Sequence, residues 1–204
     1  MIKIDKLNSR IYSRLGQNGA AFSIGLMEKQ KLGSDIYVIS ADMSEPVGLG
    51  RFKSMYPNNF INIGIAEQNM IGVAAGMTSE GKKVIVDAQA CFLSMRSCEQ
   101  IRQYMGYMGQ SIIAVGISSG FALTFFGNTH YAIEDLSIMR SVPGITILSP
   151  SDAGQAAKAL IAAMLGVVTL VSGFANLIFF SIRSNPAAIV PEVQPYTIQS
   201  NFSS

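Results

Sequence analysis

With 204 residues, 49% of them hydrophobic and 14% charged, the chain has apolar material for one α/β domain of ordinary size with its own core. A net charge of +2, with Lys and Arg scattered, excludes the basic stripe of a nucleic-acid binder, and no segment has the composition of a disordered tail. Cys91 and Cys98, without clustered histidines, make no zinc site and read as reduced thiols of a cytoplasmic protein; the N-terminus lacks the apolar core of a signal peptide.

In chain order, a helical pattern at 19–30 precedes the first apolar run at 36–40. A second run at 60–65 leads into a helix over 67–79, with Gly81 as its stop. A strand at 83–87, a helix at 93–107 and a strand at 112–117 follow. Beyond them lie a helix at 132–140, a strand at 145–148, a helix at 152–164 and a strand at 178–182. Ser151 reads as the N-cap of the 152–164 helix, with Asp152 in its first turn.

The runs Val84-Ile85-Val86 and Ile112-Ile113-Ala114-Val115 lack two-residue alternation, so both faces are expected to be buried. Alternating strands and helices predict an α/β fold with a doubly wound, mainly parallel sheet flanked by helices. Residues 1–184 read as a single domain and 185–204, with Pro186, Pro191 and Pro195, as an extended tail. The uncharged stretch 159–182 is long enough to cross a bilayer, but Thr169, Ser172, Gly173 and Asn176 punctuate it. A buried helix followed by a buried strand accounts for it better than a membrane span.

Ligands of open parallel sheets bind beyond the carboxyl ends of the strands. The polar residues there are Ser40-Ala41-Asp42, Gly64 to Asn69, Asp87-Ala88-Gln89, Ser118-Ser119-Gly120 and the loop Asn128-Thr129-His130. Glu67 ends an apolar run and opens a helix rich in small residues. It is either a first-turn glutamate on the helix dipole or a chemical group. His130, the chain's single histidine, is either incidental or a general acid–base; Phe92, by type alone, is core. No dinucleotide turn, Walker loop, nucleophile elbow or serine triad is present.

Several of these residues fall into one ordered series. It runs Ser40-Ala41-Asp42, then Phe60 through Gly64-Ile65-Ala66-Glu67-Gln68-Asn69-Met70, then Arg96 with Glu99-Gln100-Ile101-Arg102. Thr129-His130 with Glu134-Asp135-Leu136, Met139-Arg140-Ser141-Val142-Pro143 and Ser149-Pro150-Ser151-Asp152 complete it. From about Arg14 to about Leu165 the chain resembles the pyrimidine-binding domain of transketolases and 1-deoxyxylulose-5-phosphate synthases, in the split-gene form.

The resemblance implies the thiamine-diphosphate-binding fold and a transferase that moves a two-carbon ketol or acyl unit from donor to acceptor. It makes Glu67 the carboxylate that hydrogen-bonds the cofactor's aminopyrimidine, a role needing a buried carboxyl able to hold a proton at neutral pH. It stacks Phe92 on the pyrimidine, puts Ile65, Gln89 and Arg96 at the cofactor, and turns His130 toward the substrate as a catalytic group. The family's Gly-Asp-Gly diphosphate and metal motif is missing from the sequence. The resemblance therefore assigns thiamine diphosphate's charged end and Mg²⁺ to a partner subunit, in an α₂β₂ assembly, with no metal ligand in this chain. On the same resemblance, the usual C-terminal domain of transketolases is expected to be absent.

Four positions bear on the substrate. Phe126-Gly127-Asn128-Thr129-His130 sets Phe126 where family loops carry aspartate, and Tyr131 replaces a glutamine. Gln89 replaces a phenylalanine, and Arg183 matches a phosphate-binding arginine. An apolar residue for a hydroxyl-binding aspartate implies a less oxygenated donor or acceptor. Rival expectations are a decarboxylating enzyme that uses 2-oxo acids, a non-catalytic assembly subunit and a membrane-anchored protein.

Overall fold

The computed structural model describes residues 9–166 and 177–181. The strands are β1 (Ile36–Ser40), β2 (Phe60–Asn62), β3 (Lys83–Gln89), β4 (Ile112–Ile117), β5 (Ile145–Leu148) and β6 (Leu177–Ser181). They form one sheet in the order β2-β1-β3-β4-β6-β5. β1 pairs in parallel with β2 and β3, and β3 with β4. β6 opposes both β4 and β5, so one strand departs from an otherwise parallel sheet. Its direction is not encoded in an apolar run. The strand expected at 178–182 is found at Leu177–Ser181, and residue 182 lies outside the described residues.

The helices are α1 (Ser9–Gly19), α2 (Met27–Lys31), α3 (Gly50–Met55), α4 (Glu67–Ser79), α5 (Cys98–Gln100), α6 (Asp135–Arg140) and α7 (Ala153–Met164). Between α1 and α2 the chain winds as a π-helix, Ala20–Leu26, so the helix expected at 19–30 runs from 9 to 31, bent at Gly16 (φ 66°). The helix expected at 93–107 is α5 between two π-helical turns, Phe92–Arg96 and Ile101–Tyr107.

Successive strand residues face opposite layers, which explains why the apolar runs do not alternate. Val38, Ile85 and Val115 pack with Phe22, Leu26 and Leu160 on one side. Ile39, Val84, Val86 and Ala114 pack with Met70, Ile71, Leu93 and Met105 on the other.

Three boundaries differ from expectation for local reasons. The strand expected at 60–65 stops at Asn62, whose side-chain oxygen accepts from Gly64 N (3.0 Å) while Gly64 turns the chain at φ 77°. The helix expected from 132 starts at Asp135 because Ala132 exchanges both backbone bonds with Gly120 (3.0 Å each). Asp152, not Ser151, caps α7: its carboxylate accepts from Gln155 N (2.8 Å), and Ser151 N donates to the Gln155 side chain (3.0 Å). Gly81 ends α4 as expected, at φ 77°, with Lys82 N bonding back to Met77 O.

Of the stretch 159–182, α7 takes the first part and β6 the last, and no helix among the described residues is long and apolar enough to cross a membrane.

Candidate active site at the carboxyl edge of the sheet

The loops after β2, β3 and β4 lie at the same edge of the sheet because these strands run in parallel with β1. The loop after β2 ends at Ala66, whose extended φ of −143° turns the chain into α4 with Glu67 as the first helical residue. Glu67 is 3% exposed. The loop after β3 is shorter: β3 ends at Gln89, and Phe92 opens a π-helical turn that Arg96 closes. A π turn is a local widening often found where side chains are re-aimed at a site. Here it brings the Arg96 guanidinium over the Phe92 ring, 4.2 Å from its centroid.

These two loops are tied together. Arg96 donates to Glu67 Oε2 at 2.8 Å, and the Gln68 side chain donates to Arg96 O at 3.0 Å. Glu67 is therefore buried, as its expected role requires, and is also ion-paired, which no sequence pattern signals. The loop after β4 adds His130. Two 3₁₀ turns, Thr124–Phe126 and Asn128–His130, are joined by Gly127 at φ 82°, a conformation that favours glycine. Their close succession sets the His130 ring 4.9 Å from Phe126 at 31° and 5.2 Å from Phe92, edge to face. His130 Nδ1 lies 2.9 Å from Thr129 Oγ1.

An unbroken line of contact thus runs Glu67–Arg96–Phe92–His130–Phe126, and on to Phe125 at 4.4 Å. Ile65, 75% exposed, stands just before Glu67. The Gln89 side-chain oxygen is buried without a hydrogen-bond partner. Asn128 is exposed on the His130 turn, and Tyr131 packs on Phe121 at 5.0 Å. Arg183 lies outside the described residues. Among the described residues there is no group of three or more His, Cys, Asp or Glu that could hold a metal ion.

Two features were given no role from the sequence. Asp87, on the β3 residue paired with Ser40, is wholly buried; Ser40 Oγ donates to its Oδ2 at 3.1 Å, and its Oδ1 has no partner. Burial pushes its carboxyl up to about 7, against the smaller downward pull of the Ser40 hydrogen bond. The visible signal was an aspartate inside an apolar strand. The second is an open groove of about 480 Å³ where the bend in α1 meets the loop after β1, with Arg14, Asn18 and Glu45 among its lining residues.

Comparison with known proteins gives a consistent picture. The family described as "Transketolase, pyrimidine binding domain" matches residues 17–173. The chain is similar to an apulose-4-phosphate transketolase subunit from Phocaeicola vulgatus, 36% identical over 68% of this chain and 44% of that protein. It is also similar to 6-deoxy-6-sulfo-D-fructose transketolase subunit SqwH of a Clostridium species, 36% identical over 64% of this chain and 40% of that one. The chain thus spans less than half the length of these curated relatives. Among solved structures, a split-gene transketolase described as an inactive beta4 tetramer matches with a TM-score of 0.62 at 32% identity, covering 72% of this chain and 47% of that one. Transketolase from Campylobacter jejuni shares the fold, with a TM-score of 0.65 at 18% identity over 83% of this chain and 29% of that one.

Proposed function

Because the chain belongs to the transketolase pyrimidine-binding domain family, we propose that it is the pyrimidine-binding subunit of a two-component thiamine-diphosphate enzyme. In this reading it transfers a two-carbon ketol or acyl unit from a donor to an acceptor. The observation that carries this reading is a buried carboxylate, Glu67, at the head of α4, one side chain away from the Phe92 ring.

The residues suit an aminopyrimidine: Glu67 is a carboxyl group shielded from water, Phe92 an aromatic face, and Gln89 a buried carbonyl oxygen still lacking a donor. When bound, thiamine diphosphate supplies a carbanion-stabilising centre at which carbon–carbon bonds are cleaved and formed. Glu67 would hold the ring through a hydrogen bond to a ring nitrogen, the two groups sharing one proton. Phe92 fixes the ring plane, and Ile65 keeps water from the rim. His130, oriented by Thr129 at Nδ1, presents its other nitrogen to the substrate oxygen that gains charge.

The diphosphate and Mg²⁺ are then held by a partner subunit, in an α₂β₂ assembly whose active site lies between chains; the split transketolase subunits among the relatives support this arrangement. Two free cysteines, Cys91 buried and Cys98 half-buried, suit the reducing cytoplasm.

The substrate reading rests on Phe126, whose ring packs on His130. A donor hydroxyl facing that ring goes unpaired, at a cost of about 1–3 kcal/mol. A sparsely hydroxylated donor, a simple 2-oxo acid above all, fits better than a ketose phosphate, and its use releases carbon dioxide. Asn128 and Tyr131 stand on the same loop and complete the substrate side, with Arg183 as the expected phosphate contact.

One experiment tests both levels. The chain is co-purified with the product of the neighbouring gene, and turnover of pyruvate and of xylulose 5-phosphate is compared for wild type and Glu67→Gln. Glu67→Gln is expected to lower turnover about 10²- to 10⁴-fold, the range for losing a positioned acid–base group. Unchanged turnover sinks the cofactor role, and xylulose 5-phosphate used as well as pyruvate sinks the substrate assignment alone.

A further inference from the structure

Arg96 makes two contacts that a bound pyrimidine would also need. Its guanidinium holds Glu67 Oε2 at 2.8 Å and lies over the face of Phe92, 4.2 Å from the centroid. One planar, donor-rich cation thus meets both the carboxylate and the aromatic ring, as a flat heterocycle bearing N–H donors would. Resting on the pyrimidine site proposed above, we propose that Arg96 closes that site in the ligand-free chain and swings out to admit the cofactor's ring.

The physical reason is the carboxylate. A buried carboxylate with no partner is costly, so an empty site around Glu67 needs a counter-charge. Arg96 supplies it while the ring is absent, and a ring nitrogen that has taken a proton from solvent would replace it on binding, so Glu67 exchanges partners without being left alone. The side chain has room to move: it is 43% exposed, although the carboxylate it holds is 3% exposed. Its main chain stays in place, because the π-helical turn and the Gln68 bond to Arg96 O fix the backbone. Opening is therefore a rotation about side-chain bonds, held back by one ion pair and one cation–π contact.

A site that must open first binds with an affinity reduced by its open fraction. Removing the arginine should therefore tighten binding of the ring, the reverse of what loss of a ligand contact does. The test needs no partner subunit and no turnover. The 204-residue chain is titrated with 4-amino-5-hydroxymethyl-2-methylpyrimidine at pH 5, where the probe's ring nitrogen carries a proton it can donate, and binding is followed by ligand-observed NMR and calorimetry. Arg96→Ala is expected to bind the probe about tenfold more tightly than wild type. Arg96→Gln, which lacks the charge but keeps a polar stem, is expected to change affinity in the same direction and serves if the alanine variant fails to fold. Binding that these variants leave unchanged or weaken overturns the gate and leaves the pyrimidine site standing. Binding by none of the proteins overturns the site and the gate together.

Discussion

Asp87 sits in the middle layer of the molecule with its carboxyl out of reach of water. Burial favours its neutral form, and the carboxyl is pushed up to about 7 from an ordinary value of 3.8. Between about pH 4 and 7 the folded chain therefore holds a proton that the unfolded chain has released. Stability contributed by this group is complete at the acid end of that window and declines as pH rises through it, by about 1.4 kcal/mol per unit. Asp87→Asn keeps the shape and an acceptor for Ser40 Oγ while removing the ionisable proton. Urea melts at pH 5 and pH 8 should show a stability gain for the variant of about 1–2 kcal/mol at pH 5 that grows to about 4 kcal/mol at pH 8. A variant that gains nothing at pH 8 would mean that Asp87 is hydrated or already ionised in the fold. Glu67 differs at the same scale: it too is buried, but an arginine stands against it, so its ionised form has a counter-charge that Asp87 lacks.

The elements show how close the layers come. Gly25, in the π-helical stretch Ala20–Leu26, lies so near α7 that an added Cβ would sit 3.1 Å from Ala157 O, a backbone atom that moves only if the helix moves. Gly25→Val should therefore cost about 1–3 kcal/mol through overpacking, read as a lower urea midpoint with unchanged slope. An unaltered midpoint would show that the two helices slide apart freely. Much of this level was legible in advance. β1, β4, β5 and α4 keep the expected bounds, because the apolar runs are flanked by polar or turn-forming residues such as Asp35, Ser111, Ser118, Gly144 and Ser149, and Gly81 follows α4. The π turns were not legible, since over five to seven residues their spacing is too close to that of an α-helix. Ala132 falls outside α6 because its bond to Gly120 joins distant residues, and such a bond leaves no periodic mark. The site divides likewise. Glu67, Phe92 and His130 could be named from strand-end position and resemblance, but the Arg96–Glu67 pair spans 29 residues and exists only once β3 has been laid beside β1.

For the whole molecule, the carboxyl edge of the sheet combines the candidate site with an unusual amount of exposed apolar surface. Ile65, Met95, Phe121, Phe125, Phe126 and Ile133 all protrude from the loops after β2, β3 and β4, with Phe125 75% exposed. Rings and aliphatic chains of this size grouped on one side mark a contact surface rather than ordinary exposure. A net charge of +2 provides little repulsion to keep copies apart. In the proposed assembly the partner subunit covers this edge, which also dries the ground around Glu67 and His130. Without the partner, the chain should bury the patch against itself. Sedimentation velocity at tens of micromolar is expected to give a mass above 21.9 kDa for wild type, shifted toward the monomer by Phe125→Ser. Adding the partner should replace the self-associated species with a mixed complex. A wild-type chain that stays monomeric across that range, with Phe125→Ser indistinguishable from it, would separate the apolar edge from assembly and leave the aromatic cluster to the substrate alone.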